Sequence, residues 1–278
     1  MGAGPAHSAA KAPRSAKELS SLDPLTTVMR LRGSADGALS MSYLQAVREL
    51  VVDGEVMPFC SLNAFVLARY VPKGALYEAQ ILEVTYYLDP QTGALLDQFK
   101  FPGAQAPVRV PKYRTGPITV RFAQGLDEWE QVNPGNKGEA SADFAPPSSV
   151  RLQRSVGQPW LDGNRLFIRS DEYGRAYVDK AKAPAVFYRE WIVWRGDVNT
   201  ILTSDAPSLP SEYSYAAMSS WRPWMKMGNT NGHTVSNGRG RKIAALEELP
   251  EGFYALLKEH DPDVLEDPEK ALAGVATR

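Results

Sequence analysis

The sequence predicts a mainly β protein: an antiparallel meander that closes into a β-barrel of lipocalin-like general shape, with a long mid-chain excursion and short C-terminal helices. Three observations predict it. Short segments in which apolar and polar residues alternate recur through the first two-thirds of the chain, turn residues separate them at hairpin spacing, and the clearest helix-capping signals cluster near the end. A meander of this length leaves long strand edges to be covered, and closure into a barrel removes them.

Asp23-Pro24 reads as an N-cap followed by proline at the first helical position, giving at most a short helical turn. Val28 to Arg32 then alternates as a half-buried strand would, with Val28, Arg30 and Arg32 on one face. The turn Gly33 to Gly37 leads into Leu39, Met41 and Tyr43, which completes a hairpin on this reading. Asp53-Gly54 supplies the positive φ angles of a tight turn between Arg48 to Val52 and Glu55 to Cys60. Pro72-Lys73-Gly74 separates Phe65 to Val71 from Leu76 to Leu88, and Asp89 to Gly93 ends that strand before Ala94 to Phe101. Residues 102–159 are rich in Pro, Gly and Asn and hold one clear strand, Ile118 to Phe122, so they read as an excursion over one barrel mouth. Strands resume at Arg165 to Ser170, a turn follows at Glu172-Tyr173-Gly174, and the chain continues through Tyr177 and then Phe187 to Trp194. Pro250 opens a helix with Phe253, Leu256 and Leu257 on one face, and Asp267-Pro268 to Gly274 forms a second capped helix. Residues 1–20 read as a flexible tail and 21–278 as one barrel domain with C-terminal helices.

Composition narrows the function. Across 278 residues the 31 basic and 32 acidic side chains leave a formal charge of -1, so no overall field favours nucleic acid or an anionic membrane. No apolar run approaches the roughly 20 residues of a membrane helix. The single cysteine, Cys60, excludes an intrachain disulfide framework and a cysteine-rich zinc site, and its apolar neighbours suit a buried thiol. Phosphate-loop, dinucleotide, zincin and serine-hydrolase motifs are all missing, so no cofactor and no metal is expected.

The densest unusual run is Trp221-Arg222-Pro223-Trp224-Met225-Lys226-Met227-Gly228, followed by His233 and by Gly238 to Lys242. Two readings stand side by side. The block is a tryptophan-rich plug with its cations reaching water, or its indoles bind a flat apolar ligand whose polar end Lys226, His233 and an arginine orient. His233 is the one histidine away from the chain ends and titrates near neutral pH, so it is the natural proton shuttle. Gly238 to Lys242 resembles an anion-binding turn. Catalytic candidates are therefore His233, Lys226 and Tyr86, with Trp221, Trp224, Arg222, Arg32, Tyr43 and Met225 as substrate-binding candidates. Tyr86 and Tyr87 point to opposite sides of their strand, so one of them faces the interior. Glu83, Glu190 and Tyr188 could add a carboxylate or phenol, and Arg30 with Arg32 a guanidinium pair, with the facing of each left open.

Three blocks resemble a known family in order and separation: Met29 to Gly37, Tyr86 to Gly93, and Ser220 to Gly228 with Gly232-His233. They are similar to the domain-of-unknown-function family 1838 of bacteria and fungi, over about Leu25 to His260 and least so in 102–159. Many members resemble exported proteins with a twin-arginine type leader, which this sequence lacks. A cytoplasmic location is expected as the chain stands, and a periplasmic one if an export leader was removed. The resemblance and the tryptophan block together imply a lyase or isomerase that acts by acid and base groups on a hydrophobic aromatic, such as a plant- or lignin-derived phenolic. A non-catalytic carrier of a hydrophobic ligand is the alternative, and a haem or metal redox protein a third. Homo-oligomerisation is left open.

Overall fold

The computed structural model describes residues 19–124, 127–132, 149–177 and 186–274, with the backbone alone for 127–132 and 149–150. The predicted tail falls outside this range up to residue 18. In chain order the strands are β1 (Ser40–Val52), β2 (Glu55–Lys73), β3 (Leu76–Leu88), β4 (Gln98–Phe99), β5 (Val108–Arg109), β6 (Tyr113–Ala123), β7 (Asp127–Val132), β8 (Ser149–Val156), β9 (Trp160–Asp162), β10 (Arg165–Tyr177), β11 (Val186–Asp197), β12 (Glu212–Ser219) and β13 (Gly232–Ile243). Among the described residues five α-helices accompany them: α1 (Pro24–Arg32), α2 (Val198–Thr203), α3 (Glu251–His260), α4 (Asp263–Glu266) and α5 (Pro268–Ala273).

Eleven strands form one antiparallel sheet in the order β6-β3-β2-β1-β13-β12-β11-β10-β8-β7, with β9 added beside β10. The first and last strands in sequence, β1 and β13, pair along Met41 to Val52 in the middle of this path. The two ends of the path are β6 and β7, which follow one another in the chain. The sheet therefore curls into a half-barrel, mainly β with short C-terminal helices as predicted. Across the seam Arg154 of β8 donates from Nη1 to the carbonyl of Arg121 on β6 at 3.3 Å, and its guanidinium lies 4.7 Å from the ring centre of Phe122.

Turn chemistry fixes the hairpins. Asp53 and Gly54 have φ of 51° and 89°, as a primed two-residue turn requires, and they set the β1–β2 register. Asp89 accepts from the backbone N–H groups of Gln91 and Thr92 and closes the turn after β3.

Two cores flank the sheet. Alternation sends Ile81, Glu83, Thr85 and Tyr87 of β3 inward, and Leu82, Val84, Tyr86 and Leu88 outward beneath Phe253, Leu257, Val264 and Leu272 of the C-terminal helices. Both faces of β3 are thus covered, which is why Leu82 to Leu88 reads as a nearly unbroken apolar run. Asp267 caps α5 by accepting from Lys270 N, and Gly274 ends it at a φ of 73°, as predicted.

Five expectations are corrected. Glu172 to Gly174 forms no turn but lies inside the continuous strand β10, paired with Tyr188 to Glu190 of β11. Val28 to Arg32 is the second half of helix α1 and forms no hairpin with β1. Over five residues a period of 2 cannot be told from 3.6. The longer spacing Leu25, Val28, Met29 and the Asp23 cap, which accepts from Thr26 N at 2.9 Å, decide for the helix. Ala94 to Phe101 contributes only the two-residue β4. Residues 102–159 supply β6, β7 and β8 of the main sheet in place of an excursion over a mouth. Gly238 to Lys242 is no turn but part of β13, and a Cβ on Gly240 would lie 2.1 Å from the Tyr213 ring. Gly240 lets β13 pass the tyrosine closely, and Gly238 lets it approach Gln45 and Ala46 of β1.

Candidate interior site of the half-barrel

The curled sheet encloses a cavity of about 280 Å³ to which α1, β1, β2, β3, β6, β8, β10, β11 and β12 all contribute. α1 packs against β8, β10 and β11, and its last residue, Arg32, enters the cavity. Leu44, Leu62, Ile81, Val120, Leu152 and Ile192 form apolar wall, while three carboxylates and four arginines interrupt it. Glu83, Glu172 and Glu190 keep some accessible area, yet that area faces the cavity, so all three behave electrostatically as interior groups.

Each charge has a particular neighbourhood. Arg154 pairs with Glu172 through Nε and Nη2, with only 10% and 19% of the two side chains exposed. Glu172 also accepts from the Tyr188 hydroxyl at 2.7 Å. Glu83 accepts from the Thr85 hydroxyl at 2.7 Å. Glu190 accepts from the Tyr215 hydroxyl at 3.1 Å. Burial, with Glu172 and Glu83 nearby, pushes the Glu190 carboxyl up to about 7. Burial likewise raises Glu83, and Tyr188 and Tyr215 stay protonated because burial and adjacent carboxylates oppose their ionisation.

The arginines sit among aromatic rings. Arg32 donates from Nε to the Tyr70 hydroxyl at 2.8 Å, and its guanidinium lies 4.9 Å from Phe122 and 5.5 Å from Trp194. Arg48 donates to the Ser236 hydroxyl at 2.8 Å and to the Tyr87 hydroxyl at 2.9 Å. Among the described residues no group of three or more His, Cys, Asp or Glu side chains is arranged to hold a metal ion, and no helix is long and apolar enough to cross a membrane.

The predicted site residues divide. Arg32 and Arg222 line the cavity, Arg222 with its guanidinium 5.9 Å from the Tyr188 ring. Trp224 and Met225 are buried in the inner core, where the indole meets Phe59, Phe101 and Tyr87, which is the plug reading of the tryptophan block. Trp221 packs beside that core and donates to the Thr230 carbonyl at 2.8 Å. Lys226 is exposed in a left-handed conformation with φ of 53°. His233 lies across from Val51, on the face of β13 opposite the inward Thr234 and Ser236. Tyr86 and Tyr43 lie in the outer core against Phe253, and Tyr86 donates to Asp261. His233, Lys226 and Tyr86 are thus not brought together, and the inward tyrosine of the β3 pair is Tyr87.

Glu83, Glu190 and Tyr188 face inward, which spacing alone left open. Sequence reading missed Arg48, Arg154 and Glu172. One signal was present: a charged residue in an otherwise apolar run, as Glu83 is in Ile81 to Leu88, marks an inward polar group once the run is seen to be buried on both faces.

Fold and site together define a half-barrel protein with an enclosed, charged and aromatic interior. Residues 170–275 match the model of the family described as protein of unknown function (DUF1838), and the chain is similar to that family over those residues. The match runs from the middle of β10 to the end of α5 and includes Glu172, Tyr188, Glu190, Tyr215 and Arg222. Arg32, Arg48 and Glu83 lie before it. No curated protein matches the chain.

Proposed function

We propose that the chain is an acid–base enzyme of the lyase or isomerase type, acting on a small aromatic compound held inside the half-barrel, with Glu190 moving the proton. One observation carries this reading: the Glu190 carboxyl faces the cavity with a tyrosine hydroxyl as its hydrogen-bond donor and, among the described residues, no ion-pair partner. A purely structural interior would gain by replacing such a group with an apolar one. A carboxyl that titrates at about 7 can take or give a proton at neutral pH.

In the isomerase form Glu190 takes a proton from an acidic C–H or O–H, and the electron pair stays on the substrate as an enolate or phenolate. The same carboxyl returns the proton at a second atom. In the lyase form that electron pair becomes a new C=C bond, the bond to the leaving group breaks with its own pair going to that group, and Glu190 passes its proton to it. The apolar and aromatic wall suits a ring-sized body, and the cavity volume is near the lower end of ordinary ligand sites.

The test is turnover of a panel of phenols and phenylpropenoids by wild type and Glu190→Gln. The expected result is a loss of about 10² to 10⁴ in kcat with affinity retained. Binding without turnover across the panel supports the carrier reading instead.

A further inference from the structure

We infer that the compound occupying the cavity carries an anionic group, a carboxylate or phenolate, seated on Arg48 and Tyr87. This rests on the proposed reading only in placing the ligand in the same cavity.

Arg48 is on the cavity wall beside a register shift in β1, with 8% of its surface exposed. A guanidinium keeps its charge at any pH the fold survives, so burying it calls for a counter-charge. Its hydrogen-bond partners, Ser236 and Tyr87, are hydroxyls. The acidic groups whose fields reach it are Tyr87, Tyr215, Cys60 and Glu83; burial raises all four, and Glu83 directs its hydrogen bond to Thr85 and not to Arg48. The three cavity carboxylates are engaged elsewhere: Glu172 by Arg154 and Tyr188, Glu190 by Tyr215, Glu83 by Thr85. Among the described residues Arg48 makes no ion pair, and no hydrogen bond uses its Nη2.

The donors left over suit an anion. Nη2 is a free donor, and the Tyr87 oxygen accepts from Arg48 Nη1, which leaves the tyrosine's own proton available. Two donors side by side, one charged, match the two oxygens of a carboxylate or the single oxygen of a phenolate. Arg32 is the weaker candidate because Tyr70, Phe122 and Trp194 surround its charge with ring faces.

The experiment measures binding of benzoate, with benzamide as its neutral isostere, to the full chain by titration calorimetry at pH 7.5. Wild type should bind benzoate at least about tenfold more tightly than benzamide. Arg48→Met should erase that preference, lowering benzoate affinity about tenfold more than benzamide affinity. Should that variant not fold, Tyr87→Phe decides, with an expected loss of about fivefold or more for benzoate alone. Equal affinity of wild type for the two probes, or an intact preference in a folded Arg48→Met or in Tyr87→Phe, overturns the inference. Preference without any turnover in the phenol panel leaves the anion seat standing and rejects the acid–base enzyme. Turnover that depends on Glu190 without this preference does the reverse.

Discussion

Glu190→Gln should make the protein more stable at pH 8, although it removes the group assigned to chemistry. The buried carboxyl is pushed up to about 7 from an ordinary value of 4.5. The folded state therefore holds this proton more tightly than the unfolded chain does. Below the unfolded value both states are protonated and the carboxyl costs nothing. As pH rises toward 7 the unfolded chain ionises first and stability falls, and above 7 the penalty is fully present. A gap of roughly two and a half pKa units corresponds to about 3 kcal/mol. Glutamine keeps an oxygen that can accept from the Tyr215 hydroxyl, 3.1 Å away in the wild type, and it never ionises. The variant should thus gain up to about 3 kcal/mol over wild type at pH 8, or about 6 to 10 °C in Tm, and nothing at pH 4.5. Urea unfolding followed by tryptophan fluorescence at pH 4.5, 6 and 8 reads the difference directly, and carboxylates remote from residue 190 cancel. A difference that stays constant with pH, or a variant less stable at pH 8, would refute the reasoning.

Three further outcomes follow from the same interior. Glu172→Gln leaves Arg154 buried without its counter-charge and should cost about 3 kcal/mol in urea unfolding, whereas Glu172→Met combined with Arg154→Met should recover most of that loss. Gly174→Ala places a methyl 2.2 Å from the Tyr188 ring, so the tyrosine must move; a cost of about 1 to 3 kcal/mol is expected, with a loss of aromatic-ligand affinity in calorimetry. Cys60 is buried, with its thiol pushed up to about 12, so a thiol reagent at pH 8 should label it only under denaturing conditions, and prompt labelling of the native protein would contradict this placement.

Much of the sheet was legible because local chemistry decides it. Asp53-Gly54 and the Asp89 turn dictate their hairpins whatever packs around them, and the caps at Asp23, Asp267 and Gly274 mark helix ends. The misreadings lie where tertiary contacts decide. Val28 to Arg32 presents two periods in one short window, and only its packing against β8, β10 and β11 makes the helix worth forming. The strands after residue 102 were hidden because their pairing depends on closure of the sheet, where the Arg154 side chain of β8 reaches the backbone carbonyl of Arg121 on β6. The cavity was legible as residue types but not as directions. Glu83, Glu190 and Tyr188 could be singled out, yet one residue of slip reverses each of them. The tryptophan block drew attention by composition, but Trp224 closes the inner core while the cavity's charges come from single residues scattered over the sheet.

A structure of the protein with a bound aromatic carboxylate or with its own co-purified small molecule tests the account most directly. The ligand should lie inside the half-barrel, with an anionic group on Arg48 and Tyr87 and its body within reach of Glu190. A ligand seated instead on the outer face of β13 near His233, with the interior unchanged, would contradict it.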